Sequence, residues 1–470
     1  MIAMRLTSAA LIADPIGSYP AATVACFDAT CGELPRRRLD DATNVRFLER
    51  LSSVGAPAVL MAASTGHGHV RTVDELRHWL WVATTAKLRR TVPMALLRPE
   101  DGVEANRGLV RDLREWGYPV VFIRPGTNLS REATDAEVAA NMRPLVEAAA
   151  SERLAVGVYS IPDVSGVRLT PHAAAELVRG PGGGNIVAVK VTEANYDTST
   201  LRFLEHPGLR HLKIVQGWDP HLSRALQDGP SYDPQRRQRC GVTSGPMSFA
   251  VYQYLHLLEA ARREDWSEVA ESQLAVTTLF QAMQDDPAKF ADLQRAKYVM
   301  GLGQPLTGTV TTAQVERLLT ALVELPRESD RFRLARSLDL LGDGPFHDRL
   351  AALSHADAYT TVAALREQMA RFVADRDWRQ FHSPKNVSMA LAVEAAELME
   401  HFQWITAEAS RRLREQPGEW QAVREELADV IGYGLAMANE LDIDVSAAIH
   451  DKMAQNRSKY PADKFRGRFE

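Results

Sequence analysis

Four acidic residues set the first chemical constraint on this chain. Glu394 and Glu397 stand three apart inside the apolar segment Leu391 to Phe402, and Glu426 and Asp429 repeat that spacing further on. On a helix, residues i and i+3 project from one face. Two such pairs on facing helices bring four carboxylates together, and they repel one another unless a hard cation sits among them. Mg2+ is the natural tenant, because it takes oxygen ligands and serves phosphate substrates. The competing account of each pair alone is a solvated acidic face on an amphipathic helix. A different chemistry is available at Lys190, which ends the apolar run Ile186 to Val189. A lysine at the carboxyl end of a barrel strand lies where barrel active sites form. Partly desolvated, it has a lowered pKa and can act as a Schiff-base nucleophile. Tyr159 ends the preceding apolar run, and Ser64 and Thr65 close an earlier one, where they could relay protons or hold a carboxylate. The competing account of Lys190 is a side chain that snorkels to water.

Such groups need elements to position them. Apolar runs recur about every thirty residues: Ala22 to Phe27, Pro57 to Ala62, Val92 to Leu97, Pro119 to Ile123, Ala155 to Tyr159, Ile186 to Lys190, Leu212 to Gln216 and Cys240 to Ser244. Most are uninterrupted, as in strands buried on both faces of a parallel sheet. Helical patterns intervene, for example Val73 to Leu88 and Val103 to Trp116. Eight strands alternating with helices predict a (β/α)8 TIM barrel, with a doubly wound sheet as the alternative. Beyond Ser244, Phe249 to Arg262, Trp266 to Gln284, Pro287 to Met300 and Thr312 to Leu325 predict a helical appendage, and the charged stretch Pro326 to Arg336 leads to a Gly342-Asp343-Gly344-Pro345 break.

From about Tyr359 the pattern is all helix. Leu391, Ala395, Leu398, Phe402 and Ile405 form one stripe, and Trp420, Val423, Leu427, Val430, Gly434, Ala438 and Leu441 form another. Two or three helices cannot bury such stripes alone, so a bundle completed by another subunit is expected. The expected organisation is α/β followed by all-α: residues 1–340 as barrel and appendage, 341–357 as linker, and 358–470 as helical bundle.

Composition fits this division. At 470 residues the chain exceeds a single core. Its 45% hydrophobic and 24% charged fractions exclude a disordered or collagen-like chain. The balance of 55 basic and 60 acidic residues gives −5, without runs of one sign, which argues against a nucleic-acid surface. Three cysteines cannot make a disulfide framework, and no apolar stretch is long enough to span a membrane, so a cytoplasmic protein is expected.

Arg376-Asp377-Trp378-Arg379-Gln380-Phe381-His382, Glu394-Ala395-Ala396-Glu397, Phe402-Gln403-Trp404, Glu425-Glu426-Leu427-Ala428-Asp429 and the stretch from Lys452 to Pro461 resemble the MazG-like nucleotide pyrophosphohydrolases, and among them the deoxycytidine triphosphate pyrophosphatases. The resemblance covers about 110 residues. It implies an all-α MazG-like bundle in which Glu394, Glu397, Glu426 and Asp429 hold Mg2+. A nucleoside triphosphate would be cut between its α- and β-phosphates, releasing pyrophosphate and a monophosphate. Lys452, Asn456, Lys459 and Tyr460 would hold the phosphates, and Trp378, His382 and Trp404 would frame the base. Aromatic faces stack on bases, and lysines supply phosphate charge. Core packing for the tryptophans, and a place beside a helix cap for His382, are the competing accounts.

Ala63-Ser64-Thr65-Gly66-His67, Tyr159-Ser160-Ile161-Pro162-Asp163-Val164-Ser165-Gly166, Val187-Ala188-Val189-Lys190, Gly217-Trp218-Asp219 and Gly241-Val242-Thr243-Ser244 resemble, more distantly, the dihydrodipicolinate synthase and N-acetylneuraminate lyase superfamily. That resemblance implies a class I aldolase or lyase in which Lys190 forms an imine with pyruvate or another 2-oxo acid and Tyr159 moves protons, with no cofactor beyond the imine. The chain departs from the family where His67 replaces a glutamate and Gly126-Thr127 replaces paired tyrosines. Tyr159-Ser160-Ile161-Pro162 is more similar to the 4-hydroxy-2-oxoglutarate aldolases. Together the two resemblances imply a bifunctional, homo-oligomeric enzyme. The alternative is a pyrophosphohydrolase whose barrel is a catalytically silent oligomerisation or ligand-sensing module.

Overall fold

The computed structural model describes residues 6–35, 37–284, 290, 292–354 and 360–467. The chain forms two compact units, Met1–Ser354 and His355–Glu470. Each predicted apolar run coincides with a strand of the first unit. These are β1 (Ala22–Ala25), β2 (Ala58–Met61), β3 (Val92–Leu97), β4 (Val120–Ile123), β5 (Ala155–Ser160), β6 (Ile186–Val191), β7 (Lys213–Gln216) and β8 (Cys240–Ser244). All eight are buried along their whole length, which explains why their sequences do not alternate. They pair in parallel and in chain order, and β8 closes on β1 through Ala22 opposite Val242. The result is the expected closed barrel.

Two details bear on the site. β5 and β6 each run one residue beyond the predicted ends, so Tyr159 and Lys190 are penultimate strand residues. They also lie directly opposite one another in register. Parallel pairing between consecutive strands therefore carries both side chains to the same end of the barrel.

Helices Val251–Arg262, Trp266–Gln281, Leu293–Val299 and Thr312–Val323 form the appendage. The expected helix from Pro287 begins at Leu293; residues 287–289 and 291 lie outside the described residues. The charged stretch after Leu325 is a further helix, Glu328–Leu338. It buries Asp330, Phe332 and Leu334, and Arg327 and Arg333 neutralise Asp330 there. Charge pairing between neighbouring turns concealed its buried face in the sequence. Within the expected linker, His347–Ser354 is helical and belongs to the first unit, and residues 355–357 lie outside the described residues.

The second unit is all helix. Its long elements are Val362–Asp375, Pro384–Glu400, Pro417–Glu440 and Val445–Lys459. The Pro417–Glu440 helix packs on both Val362–Asp375 and Pro384–Glu400. Few side chains are fully buried, among them Val373, Val387, Leu435, Ala436 and Ala438. Both predicted stripes are largely uncovered: Leu391, Leu398 and Phe402 are half-buried, while Ile405, Trp420, Leu427 and Leu441 are exposed. Among the described residues, no helix is long and apolar enough to cross a membrane.

Candidate functional sites

At the carboxyl end of the barrel, Lys190 is 3% exposed and its Nζ lies 4.1 Å from the centroid of the Tyr159 ring. Burial drives the ammonium down to about 7, opposed by the charge of Asp219. A large share of Lys190 is therefore a free amine at neutral pH. The Tyr159 hydroxyl lies 3.1 Å from Thr192 Oγ1, and burial pushes its titration well above the ordinary phenol range. Tyr159 is thus a neutral phenol, able to donate to a developing oxyanion.

Ser64 and Thr65 also reach this end, in a buried 3-10 turn just after β2. The Thr65 carbonyl accepts from Gln294 Nε2 at 3.3 Å, and its Oγ1 faces Gly245, where a Cβ would come within 2.9 Å. Among the described residues, neither Ser64 nor Thr65 is hydrogen-bonded to Tyr159; Thr192 takes that place. Thr192 was legible only through the two-residue strand period that puts it on the face of Lys190.

Gly217, the first residue after β7, is required by close approach. A Cβ there would meet Thr192 Oγ1 at 2.1 Å and Lys190 Cε at 3.2 Å. Two residues on, half-buried Asp219 accepts from Ser244 Oγ at 2.5 Å and from the Tyr254 hydroxyl. Burial raises this carboxyl to about 6, against the lowering effect of both hydroxyls and of Lys190.

A separate charged cluster lies beyond β1. Buried Asp28 accepts from Lys297 Nζ at 2.9 Å and pairs with Arg71, and the two cations hold it down to about 2 against its desolvation. His67 stands 3.9 Å from Asp28 in the left-handed region, at φ +56°. Burial drives its imidazole down to about 4, so it is neutral near pH 7.

In the second unit, packing of the Pro384–Glu400 and Pro417–Glu440 helices brings Glu394, Glu397 and Glu426 together, with one oxygen of each within 4.8 Å of the others. Burial, then the neighbouring Glu397, Asp429 and Glu426 charges, push Glu394 above the usual carboxylate range. Glu426 Oε2 is buried and has no hydrogen-bond partner among the described residues. An orphaned carboxylate oxygen beside two further carboxylates is a donor set that fits a hard divalent cation. Asp429 is exposed on the same helix and close enough for its charge to act on Glu394.

The other predicted residues are more dispersed. His382 lines a cavity of about 410 Å³ with Met369, Val373, Arg379 and Asn439. Trp378 is 43% exposed and packs edge-on to Phe372 at 5.7 Å, whereas Trp404 is 88% exposed. Lys452, Asn456, Lys459 and Tyr460 lie at the carboxyl-terminal half of Val445–Lys459 and just past it, with Asn456 half-buried and the others exposed. Among the described residues, no hydrogen bond or ion pair joins these four to the carboxylates.

The architecture is therefore a (β/α)8 barrel with a lysine in its mouth, in one chain with an all-α unit that clusters carboxylates. Residues 389–468 match the model of the MazG-like family. The chain is 41% identical over 107 residues to dCTP pyrophosphatase 1 of Rattus norvegicus, covering 23% of this chain and 63% of that protein. It is 42% identical over 102 residues to the Homo sapiens protein of the same name, covering 22% and 60%. The chain thus spans a little under two thirds of these relatives. Among solved structures, the prophage protein of the dihydrodipicolinic acid synthase family from E. coli K12, determined with pyruvate, matches 65% of this chain and 98% of its own at TM-score 0.56 and 17% identity. A doubly substituted variant of the Sulfolobus solfataricus 2-keto-3-deoxygluconate aldolase matches 65% and 95% at TM-score 0.53 and 14% identity. The chain joins a barrel of the dihydrodipicolinate synthase fold to a MazG-like helical segment.

Proposed function

We propose that the chain is a bifunctional enzyme whose second unit is a Mg2+-dependent nucleoside triphosphate pyrophosphohydrolase, with dCTP among its candidate substrates. The convergence of Glu394, Glu397 and Glu426 within 4.8 Å carries this reading, and the likeness to dCTP pyrophosphatase 1 supports it. Glu394, Glu397, Glu426 and Asp429 would hold Mg2+, which supplies positive charge to the phosphates and acidifies water. Trp378, His382 and Trp404 would frame the base, and Lys452, Asn456, Lys459 and Tyr460 would hold the phosphates. Trp404, Leu427, Ile431, Leu441 and Ile449 are all exposed, which supports reading the second unit as part of a homo-oligomer that covers them. A panel of nucleoside triphosphates assayed for Mg2+-dependent pyrophosphate release tests this half: release from at least one supports it, and release from none refutes it.

The barrel is read as a class I aldolase or lyase in which Lys190 forms an imine with pyruvate or another 2-oxo acid. Its support is the buried lysine, lowered to about 7, against the Tyr159 ring, together with a fold shared with a protein solved with pyruvate. Tyr159 would hand a proton to the substrate oxygen, oriented by Thr192, with Ser64 and Thr65 close to the same mouth. Borohydride reduction with 2-oxo acids should fix a mass adduct on Lys190; a silent barrel would give none.

A further inference from the structure

Lys190 is buried, and both its ammonium form and the iminium that can form on it carry a positive charge. A buried cation without a counter-charge is strongly unfavourable. The barrel mouth supplies one candidate, on the turn that leaves the neighbouring strand and beyond direct ion-pair distance of the lysine. β7 neighbours β6, with Lys190 opposite Val215 and Val191 opposite Gln216. The chain leaving β7 turns against the lysine at Gly217, whose missing Cβ makes room for Lys190 Cε. Asp219 follows two residues later. Its carboxylate is tied to β8 by Ser244 Oγ and to the Val251–Arg262 helix by the Tyr254 hydroxyl. Its carbonyl is tied to the Trp266–Gln281 helix by Gln273. Two elements thus hold the carboxylate and a third holds the backbone of the same residue, more than a solvated surface aspartate needs.

We propose that Asp219 is the counter-ion of Lys190, a positioning residue that acts through the lysine and balances the iminium formed on it. This rests on the reading of the barrel as an imine-forming enzyme. In that step the Nζ lone pair bonds to the carbonyl carbon of the 2-oxo acid, and the carbon–oxygen bond breaks. The oxygen leaves as water, with one hydrogen from nitrogen and one proton from solvent. The nitrogen keeps its other hydrogen and the positive charge, which Asp219 offsets.

Other groups around Asp219 are already engaged. His221 on the same turn bonds the Ala194 carbonyl, and Arg224 on the following helix pairs with Asp197. Ser244 and Tyr254 are hydroxyl donors, and Lys190 is the cation whose charge lowers the carboxyl. The coupling is mutual, since the Asp219 charge raises Lys190.

The test is the pH profile of adduct formation by the full chain with pyruvate and cyanoborohydride, followed by intact mass. Wild type should form the adduct with a midpoint near 7. Asp219→Asn should move that midpoint down by about one pH unit, because loss of an opposite charge disfavours the ammonium. Tyr254→Phe should move it the same way by less, because the carboxyl loses a donor and is charged less of the time. This second variant keeps the test intact if Asp219→Asn does not fold. A folded variant that forms the adduct with an unmoved midpoint overturns the role of Asp219 alone. No adduct from wild type with any of several 2-oxo acids overturns the barrel reading and the proposal together.

Discussion

The Lys190 ammonium sits 4.1 Å above the Tyr159 ring, and the two residues face each other in register on adjacent parallel strands. That pairing fixes their separation through backbone hydrogen bonds, independent of any loop. Burial on both strands removes water, and the lysine answers by titrating near 7 rather than near 10.5.

Lys190→Ala is therefore expected to remove the borohydride-fixed pyruvate adduct altogether while leaving the melting temperature close to wild type. The sign of the pH dependence follows from the lowered pKa. Below about 7 the nitrogen is protonated and cannot attack, and above it the amine is free, so adduct formation rises with pH and levels off. Intact mass after reduction at a series of pH values reads this directly. A midpoint near 10 would mean that the lysine is not desolvated.

Gly217→Ala should strike the same chemistry from the other side. The new Cβ would meet Thr192 Oγ1 at 2.1 Å and Lys190 Cε at 3.2 Å, displacing the residue that orients Tyr159 and the lysine itself. The expected result is at least a tenfold slower adduct formation, a loss of about 1.4 kcal/mol or more of transition-state stabilisation. Far-ultraviolet circular dichroism should remain that of the folded protein. Adduct formation at the wild-type rate would show that this approach does not position the site.

Asp28 makes a stability prediction. It faces Lys297 and Arg71 with all three buried, so Asp28→Asn leaves two cations against a neutral amide. Breaking such a cluster costs about 3–5 kcal/mol, which urea unfolding at pH 7 would measure. The pH sign is that of a depressed carboxylate. Asp28 titrates at about 2 in the fold against 3.8 ordinarily, so its contribution is complete above about pH 4 and is lost as pH falls towards 2. In the Asn variant that part of the acid dependence should disappear.

Glu397→Gln should separate repulsion from metal binding in the second unit. In the metal-free protein the change removes one of three crowded carboxylates and should raise the melting temperature. Wild type should gain thermal stability on adding Mg2+, because a ligand that binds only the folded state stabilises it. The variant should gain little. An equal gain in both proteins would show that the cation binds elsewhere.

The barrel was legible because its strands are buried on both faces, which turns each into an apolar run with no competing helical period. Lys190 and Tyr159 stood out as polar residues against that background. Asp219 and Thr192 did not, because a turn aspartate and a threonine just past a strand are ordinary in sequence; Thr192 follows from the strand period, and only the pairing of β7 with β6 brings Asp219 near the lysine. The Glu328–Leu338 helix was hidden by its own buried ion pairs. In the second unit the acidic pairs were visible by spacing, and helix packing joined three of the four carboxylates closely. The residues of Val445–Lys459 carry a specific motif, yet that helix buries no side chain of its own. Its placement depends on contacts that local pattern does not encode.

The carboxylate cluster is proposed to drive pyrophosphate release from a nucleoside triphosphate. The most direct measurement is phosphorus NMR of the products formed from dCTP by the full chain in Mg2+, alongside Glu397→Gln. Wild type should give pyrophosphate and dCMP in equal amounts, and the variant neither. Orthophosphate with dCDP, or equal pyrophosphate release by both proteins, would contradict it.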